Sequence, residues 1–262
     1  MELGIIGAGN MAQALFPPLK SFFQQQFSSI KIFTPTNNRA VILAEKLEAN
    51  TVSAISALEN CDVLLLAHKP QQLADVANSL KIKKDVALIS ILAAIDVAKL
   101  QKSFGVSKVL RLMPNTPAQV KKGVLTGYMT SEGKNIFEPW LAALSETSIV
   151  HLFDEEKMID LTTPELGSGP GIVLECIRIF SHSLQEKGIE EKLAEKLSAQ
   201  VFAGSGELVL KTKLAPQTLR DKVTSKGGIT EKCLQEMSNN ELENIFQKSF
   251  RAGHNRALEL KK

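Results

Sequence analysis

Aromatic side chains are scarce in this 262-residue chain, with one Trp, one Tyr and twelve Phe. Nucleic-acid binding relies on stacking rings and clustered phosphate contacts. Here 31 basic residues face 28 acidic ones without a long block of either sign, so no nucleic-acid partner is expected. The three cysteines, Cys61, Cys176 and Cys233, are odd in number and far apart. They form neither a disulfide framework nor a CxxC knuckle and are expected to be buried or idle thiols. Only four histidines are present, none in HExxH, so no metal site is expected. Apolar runs such as 63-VLLLA-67 fall far short of the roughly 20 residues that cross a bilayer, and no signal-peptide pattern opens the chain. No membrane partner and a cytoplasmic location are the expectations.

What is present is a globular composition, with 44% hydrophobic and 23% charged residues, 16 Gly and 10 Pro. The length allows one domain or two. The first chemical signal is 1-MELGIIGAGNMA-12. Leu3 to Ile6 reads as a buried strand, and Gly7, Gly9 and Ala12 follow as G-x-G-x-x-A. After a strand, Gly7 serves a tight turn, Gly9 leaves room for a pyrophosphate against the backbone, and Ala12 lets a helix pack closely. The helix N-terminus then offers free N–H groups to phosphate oxygens. Pro17 and Pro18 fall inside that helix of about four turns and are expected to kink or shorten it.

A second missing charge bears on which dinucleotide binds. An NAD site usually places Asp or Glu after the second strand to hold the adenosine ribose 2′-hydroxyl. Between Glu2 and Glu45 this chain has no acidic residue, and the strand 29-SIKIF-33 runs into 34-TPTNNR-39. Hydroxyls, amides and the Arg39 guanidinium are donors suited to a 2′-phosphate, which favours NADPH over NADH.

Further strands are expected at 61-CDVLLLA-67, 86-VALISI-91, 108-KVLRLM-113, 124-VLTGYM-129 and 148-SIVHLF-153. Ligands bind where parallel strands end, so the turns 68-HKPQ-71 and 113-MPNTPA-118 are candidate site loops. On position alone Lys69 is as readily solvated as functional, and the case for His68 beside it is weaker. After residue 155 the texture becomes helical, at roughly 170–187, 190–211, 216–223, 230–237 and 240–260, with apolar residues at three and four spacing such as Leu193, Leu197 and Val201.

Two glycine segments punctuate the helical half. In 167-GSGPG-171 a helix start leaves N–H groups for an anion or a tight contact. In 221-DKVTSKGGIT-230 the Gly227 and Gly228 amides can cradle a carboxylate with the Thr230 hydroxyl facing the same space, or the segment is an ordinary helix cap. No G-x-S-x-G elbow occurs, and Tyr128 is followed four residues on by Glu132, so no Tyr-x-x-x-Lys pair exists. A hydride acceptor that needs little proton management, such as a protonated imine, fits that poverty better than an alcohol.

Taken together, 4-GIIGAGNMA-12, 67-AHKPQ-71, 113-MPNTPA-118, 167-GSGP-170 and 219-LRDKVTSKGGIT-230 resemble pyrroline-5-carboxylate reductase along nearly the whole chain. The resemblance implies an α/β fold: an N-terminal Rossmann-like dinucleotide-binding domain, residues 1–155, and an all-helical C-terminal dimerisation and substrate domain, residues 156–262. It also implies a homodimer or higher homo-oligomer and hydride transfer from NAD(P)H to C5 of 1-pyrroline-5-carboxylate, giving L-proline. The cofactor pattern carries onto Gly7, Gly9, Asn10 and Met11 at the pyrophosphate. Thr34, Asn38 and Arg39 fall near the 2′-phosphate, and Ala67, His68, Lys69, Pro70 and Ala93 near the nicotinamide. The substrate pattern carries onto Glu156, Gly227, Gly228, Ile229 and Thr230, with Thr230 as the catalytic residue that hydrogen-bonds the ring nitrogen or a nearby water. The chain departs from the family at Ile91, Leu92 and Ala94, at 163-TPEL-166, at Lys226, and at Glu231 and Lys232, where the next helix usually opens with small residues. Two alternatives stay open: a reductase of another cyclic imine acid, and a non-catalytic nucleotide-binding relative.

Overall fold

The computed structural model describes residues 1–35 and 37–260. Strand β1 (Glu2–Ile6) leads into α1 (Asn10–Leu15). That helix stops early because Pro17 and Pro18 lack N–H donors. Pro17–Leu19 form a tighter turn, and α2 (Lys20–Gln26) resumes in a new direction. Then follow β2 (Ser29–Phe33), α3 (Asn37–Leu47), the two-residue β3 (Asn50–Thr51), β4 (Val63–Leu66), α4 (Leu73–Ser79), β5 (Ala87–Ser90), α5 (Val97–Phe104) and β6 (Lys108–Pro114). The sheet continues with β7 (Gly123–Met129), α6 (Lys134–Ser145) and β8 (Ser148–Leu152).

Among the described residues the eight strands form one sheet in the order β3-β2-β1-β4-β5-β6-β7-β8. All neighbours pair in parallel except β6 and β7, which are antiparallel. Their connection, 115–122, is too short for the crossover of a dozen or more residues that a parallel return requires. The first six strands therefore point one way and the last two the other.

Both sheet faces are covered, which is why β4 reads as an unbroken apolar run. Leu3, Ile5, Leu65, Ile89 and Leu110 face Leu15, Phe23, Phe137 and Trp140 on one side. Ile6, Leu64, Leu66, Leu88 and Val109 face Leu73, Leu100 and Phe104 on the other. Phe22, Phe23 and Phe27 surround the Trp140 ring at centroid distances of 5.3, 5.2 and 5.7 Å. Cys61 is buried, and that burial pushes its thiol up to about 11.

A charge sits inside this apolar sheet. Arg111, in the middle of β6, is only 2% exposed. Its Nη2 donates to Asp160 Oδ1 at 2.6 Å and its Nη1 to Asp160 Oδ2 at 3.2 Å, a two-point grip from α7 (Lys157–Thr162). Burial alone lowers the guanidinium's hold on its proton, but Asp160 and then Glu156 outweigh it and keep the group above its ordinary value. Thr163–Gly167 then form a wider helical turn.

By packing, the chain divides into two compact units, Met1–Ser168 with the stretch from His254 onward, and Gly169–Gly253. The division expected between residues 155 and 156 precedes the packing boundary, because Ile159 is fully buried and Asp160 is bonded to β6. The second unit is helical: α8 (Gly169–Gln185), α9 (Glu191–Thr212), α10 (Pro216–Lys222), α11 (Ile229–Asn239) and most of α12 (Leu242–Leu260). α8 and α9 form a hairpin in which Phe180 and Phe202 meet edge to face at 5.0 Å.

Asp160→Asn keeps the side chain's shape but removes the charge that compensates Arg111. We expect it to cost about 3 kcal/mol, since removing one partner of a buried pair leaves the other charge stranded. Urea unfolding followed by Trp140 emission checks this. A loss below about 0.5 kcal/mol, the size of an ordinary surface change, would show that the pair is dispensable.

Candidate active site

The carboxyl ends of β1, β2, β4 and β5 lie side by side, and all twelve candidate cofactor residues sit on the loops or helix starts that leave them. Gly7 N–H donates to the Phe33 carbonyl at 2.9 Å, and Ala67 N–H donates to the Ile6 carbonyl at 2.8 Å. Gly7 adopts φ +102°, and a Cβ there would lie 2.5 Å from the Ala67 carbonyl carbon and oxygen and from the His68 nitrogen. Gly9 differs: a Cβ there would meet nothing within 4 Å. Its open side adjoins the start of α1, where the first intrahelical bond is Gln13 N–H to the Gly9 carbonyl at 3.0 Å. The amides of Asn10 and Met11 precede that bond and face outward from the helix end. A close backbone approach at Gly7 and clear space at Gly9 fit a pyrophosphate.

After β2, Thr34, Asn38 and Arg39 lie on the next turn and the first residues of α3, and Thr36 of that segment lies outside the described residues. Asn38 and Arg39 are exposed, and Arg39 makes no ion pair among the described residues. Its carbonyl accepts from Gln13 Nε2 at 3.1 Å, which ties the start of α3 to α1.

After β4, the Lys69 N–H donates to Gln72 Oε1 at 3.1 Å, and Pro70 starts a tight helical turn. His68 Nδ1 lies 2.9 Å from the Lys69 carbonyl, which only accepts, so Nδ1 carries the proton. Burial pushes the imidazole below its ordinary value, partly opposed by that bond, and its buried Nε2 has no partner among the described residues. Ala93 follows β5 next to Ala94, whose φ of 60° is a left-handed conformation uncommon for a residue with a Cβ.

Glu156 belongs to the first unit and is engaged there. Its Oε1 accepts from Arg111 Nη1 at 2.8 Å and from Val97 N–H, the first amide of α5, at 2.8 Å. Within the first unit it therefore works as a structural acceptor that joins β6, α5 and the start of α7.

In the helical unit, Ser225 to Gly228 form a turn closed by Gly228 N–H to the Ser225 carbonyl at 2.9 Å. Gly227 occupies its third position at φ +73°, the conformation that favours glycine there. A Cβ on Gly228 would come within 2.4 Å of Ser225 Oγ. Ile229 is 85% exposed. Thr230 is the second residue of α11, and no side chain caps this helix. Among the described residues its hydroxyl has no hydrogen-bond partner, so the capping role open to it on sequence grounds has no bond behind it.

Some important residues escaped the sequence reading. Arg111 left a signal, a guanidinium inside the apolar run 108-KVLRLM-113, which demands a buried acid. Asn115 left less of one: its Oδ1 accepts from Val124 N–H and its Nδ2 donates to the Leu166 carbonyl, both at 2.9 Å, fixing the loop after β6. Among the described residues, no group of three or more His, Cys, Asp or Glu side chains could hold a metal ion, and no helix is long and apolar enough to cross a membrane.

Gly7→Val is expected to abolish dinucleotide binding and to lower the melting temperature, because the new side chain collides with the β4 end and φ +102° is denied to a branched residue. Fluorescence titration with NADPH alongside a thermal melt checks this, and unaltered binding would remove Gly7 from the site.

Residues 156–260 match the family described as pyrroline-5-carboxylate reductase dimerisation, and residues 2–94 match NADP oxidoreductase coenzyme F420-dependent. A pyrroline-5-carboxylate reductase from Pasteurella multocida is 32% identical over 270 residues, spanning 98% of this chain and 96% of that protein. The solved structure of a pyrroline-5-carboxylate reductase from Coxiella burnetii superposes with a TM-score of 0.85 at 26% identity, covering 99% of this chain and 98% of the other. The pyrroline carboxylate reductase of Plasmodium falciparum with NADP bound shares the fold, with a TM-score of 0.83 at 24% identity and coverage of 100% and 98%. With its mostly parallel sheet, its glycine turn and an end-to-end relative at 32% identity, the chain belongs to the pyrroline-5-carboxylate reductase family.

Proposed function

We propose that the protein is an NADPH-dependent pyrroline-5-carboxylate reductase that forms L-proline, the last step of proline biosynthesis, in the cytoplasm. The observation that carries this reading is the likeness to the Pasteurella reductase along 98% of the chain. Bound at the carboxyl edge of the sheet, NADPH supplies a hydride. The chain holds it by the Gly7 and Gly9 turn with the Asn10 and Met11 amides at the pyrophosphate, by Thr34, Asn38 and Arg39 at the 2′-phosphate, and by Ala67, His68, Lys69, Pro70 and Ala93 toward the nicotinamide. The Nδ1–H of the neutral His68 donates to the Lys69 carbonyl and fixes the ring in this loop.

The Gly227 and Gly228 turn holds the imine-acid carboxylate, Ile229 gives the pocket an apolar wall, and the Thr230 hydroxyl orients the ring nitrogen. A protonated imine accepts hydride at carbon while its π electrons move onto nitrogen, so no strong base is needed. Glu156, placed in the substrate pattern by resemblance, contributes by holding Arg111 and the first turn of α5. The helical domain from residue 156 serves dimerisation and substrate binding. Leu174, Val201, Leu208 and Val223 leave apolar surface on α8 to α10 and just beyond, which a second copy of the chain covers.

Steady-state assays with pyrroline-5-carboxylate, its six-membered analogue, NADPH and NADH test the reading. NADPH should be favoured over NADH roughly tenfold or more in kcat/KM, about 1.4 kcal/mol, with Arg39→Ala removing much of that margin. Equal values in the wild-type protein would overturn the assignment of Arg39.

Thr230→Ala should lower kcat/KM for the imine about tenfold to a hundredfold, roughly 1.4 to 2.7 kcal/mol, while NADPH affinity and melting temperature hold. A lowered melting temperature with unchanged turnover would make Thr230 structural. Light scattering should find a dimer that retains activity, and an active monomer across a hundredfold dilution series would refute the covered surface.

A further inference from the structure

The Gly227 amide proposed to receive the substrate carboxylate is already held by a carboxylate of the same chain. Glu231 Oε2 accepts from Gly227 N–H at 2.7 Å. The Gly228 N–H is committed to the Ser225 carbonyl, a backbone bond that closes the turn. Of the two acceptors, only the Glu231 side chain can leave by a rotamer change without opening the turn.

The reach of Glu231 is also unusual for a helix cap. It is the third residue of α11 after the cap residue Gly228, the position from which a capping-box glutamate bonds the cap residue's own N–H. Here it passes over Gly228 to the left-handed Gly227. The amide has thus selected an ionisable carboxylate, the same chemistry as the acid group of a cyclic imine acid.

We infer that Glu231 is an internal latch on the Gly227 amide, which the substrate carboxylate must displace, so that Glu231 sets the affinity for the imine acid. The inference rests on the reading of this turn as the carboxylate site. Two ionised carboxylates at one N–H repel each other, and binding therefore requires Glu231 to swing away. Its charge stays close even when displaced, and that too disfavours an anionic ligand. Glu231→Ala removes both effects, and Glu231→Gln keeps an acceptor oxygen but loses the charge.

The test combines kinetics with an amide titration on the full-length protein. KM for pyrroline-5-carboxylate should fall at least about threefold in Glu231→Ala and by less in Glu231→Gln, with kcat and the NADPH KM little changed. A role confined to helix stability moves the melting temperature and leaves this KM alone. In NMR spectra the Gly227 amide resonance should respond to L-proline at lower concentrations in Glu231→Ala than in wild type. A KM that is unchanged or raised in Glu231→Ala overturns the latch. If the wild-type protein does not reduce the imine at all, the reaction reading fails, and the titration decides the latch by itself. A Gly227 resonance no more responsive to L-proline in the variant than in wild type then overturns it.

Discussion

Between the ends of β2 and β4 the chain turns at Gly7 with φ +102°, donating its N–H to Phe33 on one side and pressing against the Ala67 and His68 backbone on the other. That close approach of three backbones places the β1, β2 and β4 loops in contact at one edge. Because the strands before β7 run parallel, their carboxyl ends gather there, and α1 can begin within three residues of the turn. The candidate cofactor residues are neighbours for this reason, although they are spread from residue 7 to residue 93.

Electrostatics organises the neighbouring part of the same edge, where Arg111 pairs in register with Ser90, the last residue of β5. Arg111 breaks an apolar strand, and its desolvation is repaid by Asp160 through two bonds and by Glu156 through one. Glu156 also takes the first amide of α5, so a single buried cation joins β6, α7 and the helix after Ala93. Removing one member of such a cluster strands a buried charge, whereas well-packed apolar side chains in place of all its members would cost little. It also explains why Glu156–Ser168 pack with the sheet although the family likeness of the helical domain begins at residue 156.

The helical unit follows a different economy of contacts. Its α8 and α9 hairpin buries Ala194, Ser181 and Ser198 but leaves Leu174, Val201 and Leu208 exposed. Among the described residues its Ser225–Gly228 turn is held by one backbone bond and one side-chain bond, the second from Glu231. That turn combines firmness at Gly228, where no Cβ fits beside Ser225, with an exchangeable acceptor at Gly227.

Most of the sheet was legible in the sequence because strands buried on both faces are largely apolar, as 63-VLLL-66 shows, and because Pro17 and Pro18 announce where α1 ends. The glycine turn was legible too, since Gly7 and Gly9 are the residues that a tight turn and an open phosphate side demand. The missing acid after β2 was equally visible. Strand order, the reversal at β7, the docking of α7, the left-handed Ala94 and the partners of Arg111, Asn115 and Glu231 were not. Each depends on which distant backbone or side chain arrives at a given atom, as when Asp160 meets Arg111 across 49 positions. Local sequence determines what a segment can form and what a side chain requires; only the folded chain decides which partner meets the requirement, because hydrogen bonds and ion pairs are satisfied by proximity in space.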